Sequence, residues 1–178
     1  EMLAQPIEGG TTVAEELQSA VGRIGEKIEL RNVAAFETDD HGALGSYVHF
    51  NGSVGVIVKG TVDGDVADPA ALVDLLGRVA KHVAAAQPIV VAAEDLPTDL
   101  VERERAIYLE QVKDKPENIR GNIVDGMIRK RLFAEKALLE QSYVFDDKLT
   151  VGKAIEQASK DIGGKVAVLG FARFKVGE

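Results

Sequence analysis

Few residues in this 178-residue chain are equipped for chemistry, and their spacing limits what each could do. The three histidines, His41, His49 and His82, stand in unrelated contexts, no Gly-x-Ser-x-Gly elbow is present, and cysteine is absent. Nucleophilic catalysis therefore finds little support, and cysteine-ligated zinc, iron–sulfur clusters and disulfide frameworks are excluded. Ser46 beside Tyr47 and His49 reads as strand alternation. Gly163-Gly164-Lys165 is followed by Val166 and lies between a helix pattern and a strand pattern, the reverse of a phosphate loop, so it reads as a helix C-cap. Asp39-Asp40-His41 collects metal-ligand types, and Asp63-Gly64-Asp65 with Asp68 resembles the opening of a calcium loop. Adjacent ligands do not readily surround one ion, and the loop lacks its sixth-position glycine and has Asp74 where a bidentate Glu belongs, so both read as polar turns. Glu102 and Glu104, two residues apart on a helix, point to different faces and cannot share a substrate proton. The sequence calls for no metal and no cofactor.

The elements that must position these residues follow from periodicity. Gly45 to Phe50 and Ser53 to Val62 flank Asn51-Gly52, a pair suited to a two-residue type I′ turn, which predicts a β-hairpin carrying Tyr47 and His49. With a strand over Arg31 to Glu37 it would form a small antiparallel sheet. Asp68-Pro69 opens a helix whose Leu72, Leu75, Leu76, Val79 and Val83 share one face and which Pro88 ends near Gln87. His82 falls at the margin of that stripe, one turn beyond Arg78, where both residues would emerge at solvent or at a partner. Residues 98–113 and 117–134 are charged with helical apolar spacing and are broken only by Lys113-Asp114-Lys115-Pro116, which predicts an antiparallel helical hairpin. Leu138 to Phe145 reads as a strand.

A gap-free internal repeat sets the larger organisation. Thr12–Phe36 aligns with Thr150–Phe174, and eight of the 25 positions are identical. In each copy a Thr caps an amphipathic helix, a Gly ends it, and an apolar β-like segment follows. The fold class expected is α+β: two related α/β lobes with small antiparallel sheets and an inserted helical hairpin (coiled coil). The boundaries expected are 1–87 for the first lobe and 88–178 for the second, with the hairpin at about 98–134. Lys+Arg 21 against Asp+Glu 29 gives a net charge of −8, which repels phosphate backbones and anionic lipid, so direct nucleic-acid and membrane partners are not expected. The longest apolar run, Val83 to Ala93, is split by Gln87 and Pro88 and is too short to span a bilayer. The start at Glu1 reads as a processed chain or a fragment.

Several segments together carry a family resemblance. Gly25-Glu-Lys-Ile-Glu-Leu-Arg-Asn-Val-Ala, Gly45-Ser-Tyr47-Val-His49 with Val54-Gly-Val-Ile-Val, and Lys81-His82-Val-Ala-Ala with Pro88 resemble the core of elongation factor Ts. Asp95-Leu-Pro, Lys115-Pro-Glu, Ile123-Val-Asp-Gly, Leu138-Leu-Glu-Gln and the closing Gly170-Phe-Ala-Arg-Phe-Lys-Val-Gly-Glu keep the family's order and spacing. The resemblance implies a guanine-nucleotide exchange factor for elongation factor Tu in protein synthesis, not an enzyme in the bond-making sense. It implies that His82 contacts the GTPase, that Ala84, Ala85 and Pro88 shape the same edge, and that Arg78, Tyr47 and His49 belong to the partner-binding set. It also implies a cytoplasmic, plastid-stromal or mitochondrial-matrix setting.

Two departures from the family weigh against full activity. The family's amino-terminal three-helix domain and its Thr-Asp-Phe-Val segment are not in this sequence, and Phe50-Asn51-Gly52-Ser53 replaces a Gly-rich basic turn. A translation- or ribosome-associated binding module without exchange activity is the alternative. Self-association through the helical hairpin is a further possibility, and an enzyme with His49 or His82 as general base in an inter-lobe cleft is the rival of another class.

Overall fold

The computed structural model describes residues 2–64 and 68–178, and the chain divides into two compact units, residues 1–35 and 36–178. In the first, α1 (Val13–Ile24) begins at a full capping box: the Thr12 hydroxyl accepts from the Glu15 N–H, and the Glu15 carboxylate accepts from the Thr12 N–H at 2.7 Å. Gly25 closes the helix in the left-handed conformation (φ 75). The strand expected over Arg31 to Glu37 is not formed; those residues carry no regular structure, and Leu30 and Val33 are exposed.

The second unit is built on a three-stranded antiparallel sheet of β1 (Gly42–Val48), β2 (Val54–Asp63) and β5 (Lys165–Lys175), in the order β1-β2-β5. β2 is thereby central, with its hairpin partner on one side and the carboxy-terminal strand on the other, and the sheet gains β5 where the sequence suggested a strand over Arg31–Glu37. The hairpin turn also differs from expectation. Gly52 N–H donates to the His49 carbonyl at 2.7 Å and Gly52 alone of the pair is left-handed, so the loop is a four-residue turn rather than a type I′ pair.

Helix α2 (Pro69–Ala86) starts with the Asp68 carboxylate accepting from the Ala71 N–H, as the Asp-Pro signal requires, and packs on the inner face of the sheet with α6 (Val151–Ile162). Val56, Val58 and Val62 of β2 and Val166 and Val168 of β5 alternate inward to meet Leu72, Leu75, Leu76, Val79, Ile155 and Ile162. α6 repeats the design of α1, with Thr150 as N-cap and Gly163 (φ 97) as C-cap. A boundary at 87/88 would run through this core: β2 and α2 lie before it, β5 and α6 after it, and they share one sheet and one apolar cluster.

The helical hairpin comprises α3 (Thr98–Gln111) and α4 (Glu117–Met127), followed by a π-helical stretch Ile128–Phe133 and a last helical turn, α5 (Ala134–Lys136). It has its own small core of Leu96, Tyr108, Val112, Val124, Ile128 and Leu132. Arg105 and Asp125 pair across it at 2.8 Å, and the Arg131 guanidinium sits 5.6 Å from the Tyr108 ring centroid. The strand expected over Leu138–Phe145 is reduced to β3 (Ser142–Tyr143) paired with β4 (Asp146–Thr150), because Leu138–Glu140 forms a 3₁₀ turn.

Helix α2 approaches β1 so closely at Gly45 that any side chain there meets backbone: a Cβ would lie 2.2 Å from the Leu76 carbonyl carbon. Neither backbone can yield without disturbing the sheet or the helix. Gly45→Ala should destabilise the protein by about 2–3 kcal/mol, seen as a lowered urea midpoint with unchanged slope; an unchanged midpoint would show that the two elements are not so closely packed.

Candidate functional site

The carboxy-terminal turn of α2 and the turn end of the β1–β2 hairpin meet at one part of the surface. Tyr47 and His49 extend from β1, alternate residues on one side of the strand, with Tyr47 Oη and His49 Nδ1 hydrogen-bonded at 2.8 Å. Ala84, Ala85 and Lys81 reach the same place from α2, and Arg173 and Lys175 reach it from β5, lining a cleft of about 270 Å³. Gln87, with φ 53 the only non-glycine residue at positive φ among the described residues, caps α2 at the rim. The structure therefore brings together four of the residues read from the sequence: Tyr47, His49, Ala84 and Ala85. Arg78, one to two turns earlier on α2, is exposed and pairs with Asp74 at 3.4 Å, outside the cleft.

His82 is not at the surface. It is completely buried, with 0% exposure, and Pro88 is buried as well. The margin of the apolar stripe is covered by β3, whose Tyr143 ring centroid lies 5.8 Å from the imidazole centroid. Both ring nitrogens are engaged: Nδ1 accepts from the Val144 N–H at 3.3 Å, and Nε2 lies 2.9 Å from Gln141 Oε1. A backbone N–H can only donate, so Nδ1 is an acceptor, the ring is neutral, and Nε2–H donates to the glutamine. Burial holds the imidazole pKa below its ordinary value, and the Gln141 bond offsets this only in part.

Gln141 completes the arrangement. Its Nε2 donates to the Glu135 carbonyl at 2.6 Å and to the Ala86 carbonyl at 3.2 Å. One side chain thus satisfies the last turn of α2, the end of the helical hairpin and the histidine between them. The hairpin is anchored beside it by a short parallel bridge: Ile89 N–H donates to the Lys136 carbonyl, and Leu138 and Leu139 N–H groups donate to the carbonyls of Val90 and Val91.

Among the described residues no group of three His, Cys, Asp or Glu side chains is placed to hold an ion. Asp39 instead accepts from the His41 N–H at 3.1 Å as a turn, and Asp65 of the calcium-like run lies outside the described residues. Among the described residues no helix is long and apolar enough to cross a membrane.

Sequence reasoning missed Lys81, Arg173, Lys175 and Gln141. For two of these the pattern misleads: alternation continued from inward-facing Val166 and Val168 would turn Arg173 and Lys175 outward, and it is the register shift opposite Lys59/Gly60 that reverses the phase and sets Arg173 opposite inward-facing Val56. Gln141 gave no signal, since two of its three partners, Ala86 and His82, lie 55 and 59 residues away in sequence.

Comparison with known proteins places these features in a wider group. The family model described as elongation factor TS matches residues 1–178. Elongation factor Ts of Trichlorobacter lovleyi is 38% identical over 183 residues, an alignment that takes in 100% of this chain and 58% of that protein. The protein of the same name from Agrobacterium fabrum is 38% identical over 177 residues, covering 95% of this chain and 56% of its own length. That of Sphingopyxis alaskensis is 41% identical over 187 residues, covering 99% and 58%. The chain thus spans little more than half the length of these relatives.

The buried neutral histidine makes stability depend on pH. Because the folded pKa lies below the unfolded value of about 6.5, the unfolded state binds the proton first, so the native protein loses stability as pH falls below that value. The urea midpoint of the unmodified protein should fall more steeply between about pH 7 and pH 5 than that of His82→Gln, which keeps a polar amide but does not titrate. Equal slopes would show that His82 is not held neutral by burial.

Proposed function

The chain belongs to the elongation factor Ts family, and from that membership we propose that it binds the GTPase elongation factor Tu and accelerates release of GDP during translation elongation. The observation that carries this reading is the match of the family model from the first residue to the last. The mechanism is one of linkage. A factor that binds the nucleotide-free GTPase more tightly than the GDP-bound form must, by the same free energy, weaken the hold on GDP. No covalent bond is made or broken on this chain, so it acts as a binding protein and not as an enzyme, without metal or cofactor of its own.

The partner-facing surface is the end of α2 with the hairpin: Tyr47, His49, Ala84 and Ala85 around the cleft and Arg78 on the exposed side of the helix. His82 and Pro88, being buried, act from beneath by fixing where α2 ends. The helical hairpin offers a second surface, since Ile107, Leu109 and Ile119 are exposed on it, and we assign it either to the same partner or to self-association as a coiled coil. The setting for this activity is the compartment of translation, the cytoplasm or its organellar equivalent.

A binding module without exchange activity is the second reading, favoured by the turn Phe50-Asn51-Gly52-Ser53 standing where the family carries a Gly-rich basic turn. The two readings separate in one experiment: release of a fluorescent GDP analogue from elongation factor Tu, chased with excess GDP, as this protein is titrated in. Acceleration should rise with concentration, and His49→Ala or Arg78→Ala should raise the concentration for half-maximal effect about fivefold, the factor that 1 kcal/mol of contact energy gives. Binding without acceleration supports the module reading, and absence of both refutes either role.

A further inference from the structure

The cleft beside α2 carries an electrostatic feature at odds with the rest of the molecule. The chain has a net charge of −8, yet Lys81, Arg173 and Lys175 converge here, and among the described residues that line the cleft none is a carboxylate. Arg173 is the unusual member. It points inward from β5 opposite Val56, its side chain is only 12% exposed, and its Nε is buried without a hydrogen-bond partner. A buried guanidinium N–H left unpaired is costly unless an acceptor arrives to meet it.

The structure holds an indication of what that acceptor is. The Glu178 carboxylate lies 3.2 Å from Arg173 Nη1 and 3.3 Å from Lys175 Nζ, and the hydrogen bond from Lys175 and then that from Arg173 hold its pKa below the usual carboxylate range. A glutamate side chain of the chain itself thus already sits on two of the three cations, from an exposed position that leaves Arg173 Nε unmet. At the mouth, Phe50 is 90% exposed at the hairpin tip with its ring centroid 4.5 Å from that of His49, and Val176, 77% exposed, is tied to the same tip by its N–H to the Ser53 carbonyl. Exposed apolar groups beside a cationic cleft fit a peptide with an acidic residue flanked by an apolar one.

We infer that this cleft is a carboxylate-recognition site for an acidic, partly apolar segment of a protein partner, and that Glu178 is an internal competitor which that segment displaces. The carboxylate source is favoured over phosphate, because the net negative charge of the chain opposes a nucleic-acid backbone and because a carboxylate is the group the cations already hold. The inference rests on reading this face as partner-binding, and adds the chemistry by which the partner is recognised.

The test uses the full 178-residue chain and a fluorescein-labelled polyglutamate peptide ending in phenylalanine, followed by anisotropy at low salt. The peptide should bind with an affinity that falls as salt is raised. Arg173→Gln should weaken it about tenfold, and Glu178→Gln should tighten it about threefold by removing the competitor. A gain of affinity in the second variant cannot arise from misfolding. No binding to the unmodified chain, equal affinity across it and the two variants, or tighter binding of an oligothymidylate of the same length would each overturn the inference. Because elongation factor Tu is absent from the mixture, a positive result with the peptide and a negative one in GDP release would locate the error in the assigned partner, and the converse pattern would locate it here.

Discussion

The arrangement of the second unit depends on one buried polar contact, the hydrogen bond between His82 and Gln141. Burying a polar group is tolerable only when its hydrogen bonds are made, and here the two side chains satisfy each other and three backbone groups: the Val144 N–H and the carbonyls of Ala86 and Glu135. Those backbone groups belong to β3's end, the last residue of α2 and the last turn of the helical hairpin. No apolar pair could replace the contact, because the carbonyl of Ala86 and that of Glu135 would lose their donor. The contact therefore fixes where α2 stops, and with it the positions of Ala84, Ala85 and Gln87 at the rim of the cleft.

The same constraint explains how a charged helical hairpin is attached to a small sheet. The hairpin leaves the body at Ile89–Val91 and returns at Lys136–Leu139, where backbone hydrogen bonds run directly between the outgoing and incoming segments. Its own core is limited to a few side chains around Tyr108 and Val124, so its direction is set at the root rather than along its length. Charge is partitioned: the buried node is neutral, while cations gather at the neighbouring cleft.

Much of this was legible in the sequence because local signals agreed with the tertiary outcome. Asp68-Pro69 and Pro88 bounded α2 to within a residue, Thr150 and Gly163 bounded α6, and Lys113–Pro116 marked the hairpin turn. The errors were non-local. The apolar segment after Gly25 looked as strand-like as its repeat after Gly163, but only the second copy pairs with β2, and local pattern does not say which of two similar segments a sheet recruits. His82 looked marginal on a helical wheel because α2 alone was considered; β3 covers that flank from about sixty residues downstream. Its identity as a contact residue came from resemblance, whereas burial assigns it a positioning role. Arg173 was hidden for a related reason: alternation from Val166 and Val168 would turn it outward, and the register shift opposite Lys59/Gly60 brings it inward.

The tautomer of His82 tests the central contact most directly, and long-range nitrogen–proton correlation spectra of the labelled protein at neutral pH report it. The hydrogen-bond pattern requires a neutral ring with the proton on Nε2 and an unprotonated Nδ1. Observation of that tautomer would place the neutral imidazole between Gln141 and Val144 as described. A proton on Nδ1, or a doubly protonated ring, would contradict the arrangement from which the end of α2, the hairpin root and the cleft have been derived.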